Sequence, residues 1–93
     1  MQLGKVIENV VSTQKNTMLR GCKLFVVRLI HNRKLSDKYV VAVDSIGAGE
    51  GETVILTFGS SARIGIGKES APIDAAIVGI VDDPGSVWDG GEE

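Results

Sequence analysis

Residues 44–63 read DSIGAGEGETVILTFGSSAR, and three kinds of local chemistry follow one another along them. Gly47, Gly49 and Gly51 alternate with Ala48 and Glu50, so the backbone there is free to take conformations that side chains disfavour. Thr53 to Phe58, TVILTF, is β-branched and aromatic and reads as a strand. Gly59-Ser60-Ser61 then offers an N-cap ahead of one helical turn across Ser61 to Ile64. The glycine run is a poor phosphate cradle. It lacks the G-x-G-x-x-G spacing, Glu50 and Glu52 repel an anion, and a strand follows where a helix N-terminus is needed.

Moving upstream, Lys38 to Ile46 (KYVVAVDSI) and Cys22 to Ile30 (CKLFVVRLI) are dense in β-branched and aromatic residues, with His31 to Asp37 as a polar loop between them. Leu3 to Val11 (LGKVIENVV) is a strand with polar residues on both faces, and Ser12 to Arg20 is a polar loop. Downstream, Ala76 to Val81 is the fifth strand. Five short strands, one helical turn between the fourth and fifth, and almost no helical periodicity predict an all-β fold, a small OB-like β-barrel whose helical turn plugs one end. Residues 1–82 form a single domain on this reading. Asp83-Pro84-Gly85-Ser86 is a turn signal, and 83–93 form a partly flexible tail. Trp88 on that tail is expected to dock, either on its own barrel or on a neighbour, because indole is large and costly to leave in water.

Ten basic against 12 acidic residues leave a net charge of −2, which offers nothing to nucleic acid or an anionic membrane. Arg33, Lys34 and Lys38 read as a solvated hairpin loop. The single cysteine, Cys22, fits a reducing cytosol and reads as a small apolar side chain. No apolar run is long enough to span a bilayer, and the first residues lack a cationic start and an apolar core, so a cytoplasmic location is expected. A chain of 93 residues buries only about 60–65% of the surface its unfolded form exposes, so association with copies of itself is expected to help.

The residues give little to catalysis. His31 is the only histidine, flanked by Ile30, Asn32 and Arg33, which supply neither nucleophile nor carboxylate. An acid–base pair of Asp44 and Glu52 needs a shaped pocket that a small filled barrel does not have. Asp44 reads better as a hydrogen-bond acceptor where the strand runs into the glycine loop. No catalytic, cofactor-binding or metal-binding residue is assigned. A single-stranded nucleic-acid-binding module is the alternative for a five-stranded barrel, but Phe25, Tyr39, Phe58 and Trp88 are all the aromatics it has, and the charge has the wrong sign.

Four separated motifs carry a family resemblance. Val43 to Leu56 followed by Gly59-Ser60-Ser61-Ala62-Arg63, the opening Leu3-Gly4-Lys5-Val6 with Thr13 and Lys15, Leu19-x-Gly21-x-Lys23-Leu24, and Pro72 to Asp82 together resemble the bacterial microcompartment vertex proteins, the EutN/CcmL family, over residues 1–82. The resemblance implies a small β-barrel that forms cyclic pentamers capping the five-fold vertices of a polyhedral shell, a carboxysome or a metabolosome. It implies as partners further copies of the chain and hexameric shell proteins, with no nucleic acid and no membrane, in the bacterial cytoplasm. Gly47, Ala48, Gly49, Glu50, Gly51 and Glu52 are then expected at an axial loop or pore; a tight acidic hairpin is the other reading of the same residues. Thr13, Lys15, Asp44, Ser60, Ser61, Ala62 and Arg63 are expected at subunit contacts, Arg63 through a bidentate guanidinium. The chain departs from the family pattern at Leu29-Ile30-His31, where a proline- and aspartate-containing turn is usual, in the basic Asn32-Arg33-Lys34 loop, at Arg20 and Cys22 around Gly21, and in the tail DDPGSVWDGGEE.

Overall fold

The computed structural model describes residues 1–11, 21–65 and 74–90, and for 63–65 the backbone alone. Its strands are β1 (Gln2–Val10), β2 (Lys23–His31), β3 (Lys34–Asp44), β4 (Thr53–Phe58) and β5 (Ala75–Ile80). A helical turn, α1 (Ser60–Gly65), lies between β4 and β5, and a 3-10 turn spans Pro84–Ser86. The strands close into a barrel in the order β1-β2-β3-β5-β4. Every pairing is antiparallel except β3 with β5, a short parallel seam in which Val43 faces Ala76 and Asp44 faces Ile77.

Alternation explains which side chains fill the barrel. On β2, Phe25, Val27 and Leu29 are buried while Leu24, Val26 and Arg28 are half-buried on the outer wall. Val6, Ala42, Val54, Leu56, Ala75 and Ile77 complete the interior with them. Gly4 is what lets β1 lie so close to β2 and β4. A Cβ there would collide with Val27 Cγ1 and stand 3.1 Å from both the Arg28 carbonyl oxygen and Leu56 Cδ1. A bulge between Val6 and Glu8 interrupts the alternation of β1, which is why polar residues occur on both of its sequence faces.

The β2–β3 connection differs from the long loop expected over residues 31–37. Asn32 and Arg33 alone make the turn, both with positive φ (50° and 66°), and the strands pair up to His31 and Lys34. Two left-handed residues in succession suit the twist of a two-residue hairpin, a role usually signalled by glycine, and neither residue here is one. The polar stretch beyond the turn is accommodated by a bulge between Arg28 and Ile30. Ser36 satisfies it: its hydroxyl donates to the Leu29 carbonyl at 2.8 Å, and its own carbonyl accepts from Arg28 Nε at 2.6 Å.

Candidate functional site

The loop from Asp44 to Glu52 is organised by its two carboxylates at either end. Asp44, only 3% exposed, accepts backbone N–H groups from Ile46 (3.1 Å), Gly47 (3.2 Å) and Ala48 (3.0 Å). This is an Asx-type turn, in which a carboxylate at the strand end takes the place of the next ladder partner. Glu52 closes the other end by accepting the Gly49 N–H at 2.6 Å. Gly47 and Gly51 hold φ of +94° and +84°, a region costly for any side chain, so glycine is required at both. The loop is also sewn to β1: Gly51 N–H donates to the Val6 carbonyl (2.8 Å) and Val6 N–H to the Glu52 carbonyl (2.9 Å). Asn9 N–H meets Glu50 Oε1 at 3.4 Å.

Ala48 therefore points inward and joins the core, closing one end of the barrel, while Gly47, Glu50 and Gly51 face solvent. Of the residues expected at subunit contacts, Ser60 and Ser61 are exposed at the start of α1, whereas Ala62 is fully buried within its own chain. Asp44 is likewise taken up internally, so what it can offer an assembly is the shape of the loop. Thr13, Lys15 and the Arg63 side chain lie outside the described residues. Cys22 is buried. Among the described residues no three of His, Cys, Asp or Glu converge in a metal-holding group, and no helix is long and apolar enough to cross a membrane.

A second constellation was only half legible in the sequence. Trp88 docks on the outer wall of its own barrel, 6% exposed, and its indole N–H donates to Thr53 Oγ1 at 2.9 Å. Lys5, which pairs with Thr53 across β1 and β4, holds its ammonium 5.8 Å from the ring centre. Arg33 clasps the other side of the tail. Its Nε bonds Asp89 Oδ1 at 3.0 Å, its NH1 and NH2 bond the Ser86 and Gly85 carbonyls, and its own carbonyl accepts the Asp89 N–H. Arg33, Lys34 and Lys38 are all exposed, as a solvated hairpin implies, and the tail adds bonds to the Arg33 guanidinium that the hairpin reading did not include. The available signal was the Asp-Pro-Gly turn, which reverses the chain and brings an aspartate back toward the basic hairpin.

A barrel of this topology, with an Asx-turned glycine loop at one end and a helical turn between its last strands, can be compared with proteins already known. Residues 1–82 match the family described as ethanolamine utilisation protein EutN/carboxysome. The chain belongs to the EutN/CcmL family. A bacterial microcompartment shell vertex protein, GrpN of Rhodospirillum rubrum, is 54% identical over 83 residues, covering 88% of this chain and 93% of the relative. The carboxysome shell vertex protein CcmL of a Nostoc species is 49% identical, with 88% and 83% covered. Among solved structures of the EutN/CcmL family, an ethanolamine utilization protein EutN superposes with a TM-score of 0.85 at 39% identity, covering 89% of this chain and 88% of that one. The pentameric microcompartment shell protein GrpN of Rhodospirillum rubrum superposes at 0.79 with 51% identity, covering 88% and 94%. The family match ends at Asp82, and the Trp88 tail that Arg33 clasps lies beyond the matched residues.

Proposed function

We propose that this chain is a structural shell protein that assembles as a cyclic ring of five and caps the five-fold vertices of a polyhedral bacterial microcompartment. The observation that carries this reading is the barrel itself, which superposes along nearly all of a pentameric shell protein at 51% identity. The geometry gives the role a physical sense. A flat layer of hexameric tiles closes into a polyhedron only where fivefold units are inserted, and a closed ring repeats one contact between two different patches of the same chain. Its partners are accordingly four further copies and hexameric shell proteins, within the bacterial cytoplasm. It is not an enzyme on this reading, since the two loop carboxylates are engaged with backbone N–H groups of their own loop.

In the ring, Gly47, Gly49 and Gly51 let five loops approach the axis, and Glu50 borders the opening there. The single-strand-binding alternative finds little support in the aromatics. Phe25 is buried, Phe58 packs against the core and Trp88 is covered, which leaves Tyr39 as the one exposed ring. Native mass spectrometry of the purified protein over a range of concentrations tests the reading. A species of five 9.8 kDa chains is expected, and a monomer at every concentration overturns it.

A further inference from the structure

The tail is held by three barrel side chains that meet successive features of the segment Trp88-Asp89-Gly90. Thr53 Oγ1 accepts the indole N–H at 2.9 Å, with both residues buried. The Lys5 ammonium lies 5.8 Å from the ring centre, within range of the negative face of an indole. Arg33 meets the next residue twice: its carbonyl accepts the Asp89 N–H at 2.8 Å, and its Nε donates to Asp89 Oδ1 at 3.0 Å. Gly90 then folds the chain over the indole. A Cβ there would collide with Trp88 Cζ3 and stand 2.7 Å from Cη2, so a residue with a side chain does not fit against the docked ring.

An aromatic anchor in a covered site, a main-chain hydrogen bond and a guanidinium for the following carboxylate are the parts with which a rigid surface reads a short peptide. From this match we propose that Lys5, Thr53 and Arg33 form a recognition slot for a Trp-Asp-Gly segment, filled by the chain's own tail and open by exchange to an aromatic–acidic peptide of another protein. The slot belongs to one subunit and does not depend on the ring. Copies of this chain bring one tail for every slot, so exchange among them leaves the wall unchanged; a different protein carrying the segment is the occupant that alters it. Exchange is feasible because part of the grip faces water: the Arg33–Asp89 pair is 51% and 57% exposed. The tail sets the threshold. Val81 N–H bonds the Thr53 carbonyl, so the chain leaves the barrel beside the residue to which Trp88 returns. So short a tether gives an effective concentration in the millimolar range, which a competing segment has to match.

Trp88 is the single tryptophan, so full-length Trp88→Ala has none and indole emission reports an added peptide alone. A peptide of residues 83–90 is expected to bind this variant saturably with emission shifted to the blue. Gly90→Ala in the peptide, or Thr53→Val in the barrel, is expected to weaken binding about tenfold. No saturable shift, or equal binding of the Gly90→Ala peptide, overturns the slot. Exchange is read on the parent chain by fluorine NMR with 5-fluorotryptophan in the peptide. About half of the slots are expected to take the peptide once its concentration matches that of the tethered tail, in the millimolar range. No bound resonance at roughly ten times that level overturns exchange. Should Trp88→Ala fail to fold, the parent-chain experiment alone decides, with the Gly90→Ala peptide as its control.

Discussion

At the scale of single residues, Asp44 does the most to make the glycine loop a defined object. Its buried carboxylate is the acceptor for three successive backbone N–H groups. Asp44→Ala removes the acceptor of all three donors, of which the Ala48 N–H is the buried one, and at about 1–3 kcal/mol for a buried unmet group a loss of about 2 kcal/mol is expected. Asp44→Asn keeps one acceptor oxygen and the shape, and a loss nearer 1 kcal/mol is expected. Urea unfolding of the three proteins reads both values; an alanine variant within about 0.5 kcal/mol of the parent would mean that water satisfies the loop instead. Thr53 makes a parallel case. Its hydroxyl is the acceptor for the indole N–H of Trp88, both groups are buried, and valine has the same outline without the oxygen. Thr53→Val is therefore expected to cost about 1–2 kcal/mol through an orphaned N–H, with the indole emission shifted because its polar partner is gone.

At the scale of elements, the tail and the β2–β3 hairpin behave as one unit, because Arg33 binds residues 85, 86 and 89 while Trp88 lies between them on the barrel wall. The two contributions differ in size. The Arg33–Asp89 pair is half exposed on both sides, 51% and 57%, so screening limits Arg33→Ala to about 1 kcal/mol or less. Ending the chain at Asp82 removes a buried indole, worth about 3 kcal/mol, and lowers the thermal midpoint by roughly 10–20 °C. Circular dichroism melts compare the two variants, and equal effects would show that the ion pair, not the ring, holds the tail. The elements themselves were largely legible, because period-two alternation in Cys22–Ile30 and the β-branched run Thr53–Phe58 are local signals. Sequence reading failed where the cause was non-local. The Asn32-Arg33 turn lacks glycine and is imposed by the pairing of the strands on either side, and the Arg33–Asp89 contact spans 56 positions. The loop's inward Ala48 was equally invisible, since its direction is set by hydrogen bonds from Asp44 and β1 rather than by its own neighbours in the chain.

For the whole molecule, the question is what kind of force holds copies together, and the surface gives an answer that salt can test. Each chain carries a net charge of only −2, its described ion pair lies within one subunit, and Tyr39, Val41 and Ile46 leave apolar surface exposed on the barrel. Cross-subunit ion pairs would weaken as added salt shortens the screening length to about 3 Å near 1 M. Apolar burial does not depend on that screening, and sulfate strengthens it by exclusion from protein surface. The five-chain mass is therefore expected to persist from low salt to about 1 M sodium chloride and to survive greater dilution in sulfate, as read by light scattering across a dilution series. Cooling acts in the opposite sense, since apolar association weakens toward low temperature, so dissociation on dilution should be easier in the cold than at room temperature. Dissociation by chloride at constant temperature would instead assign the contact to charged groups and move attention to exposed charged side chains such as Glu50, Lys34 and Lys38.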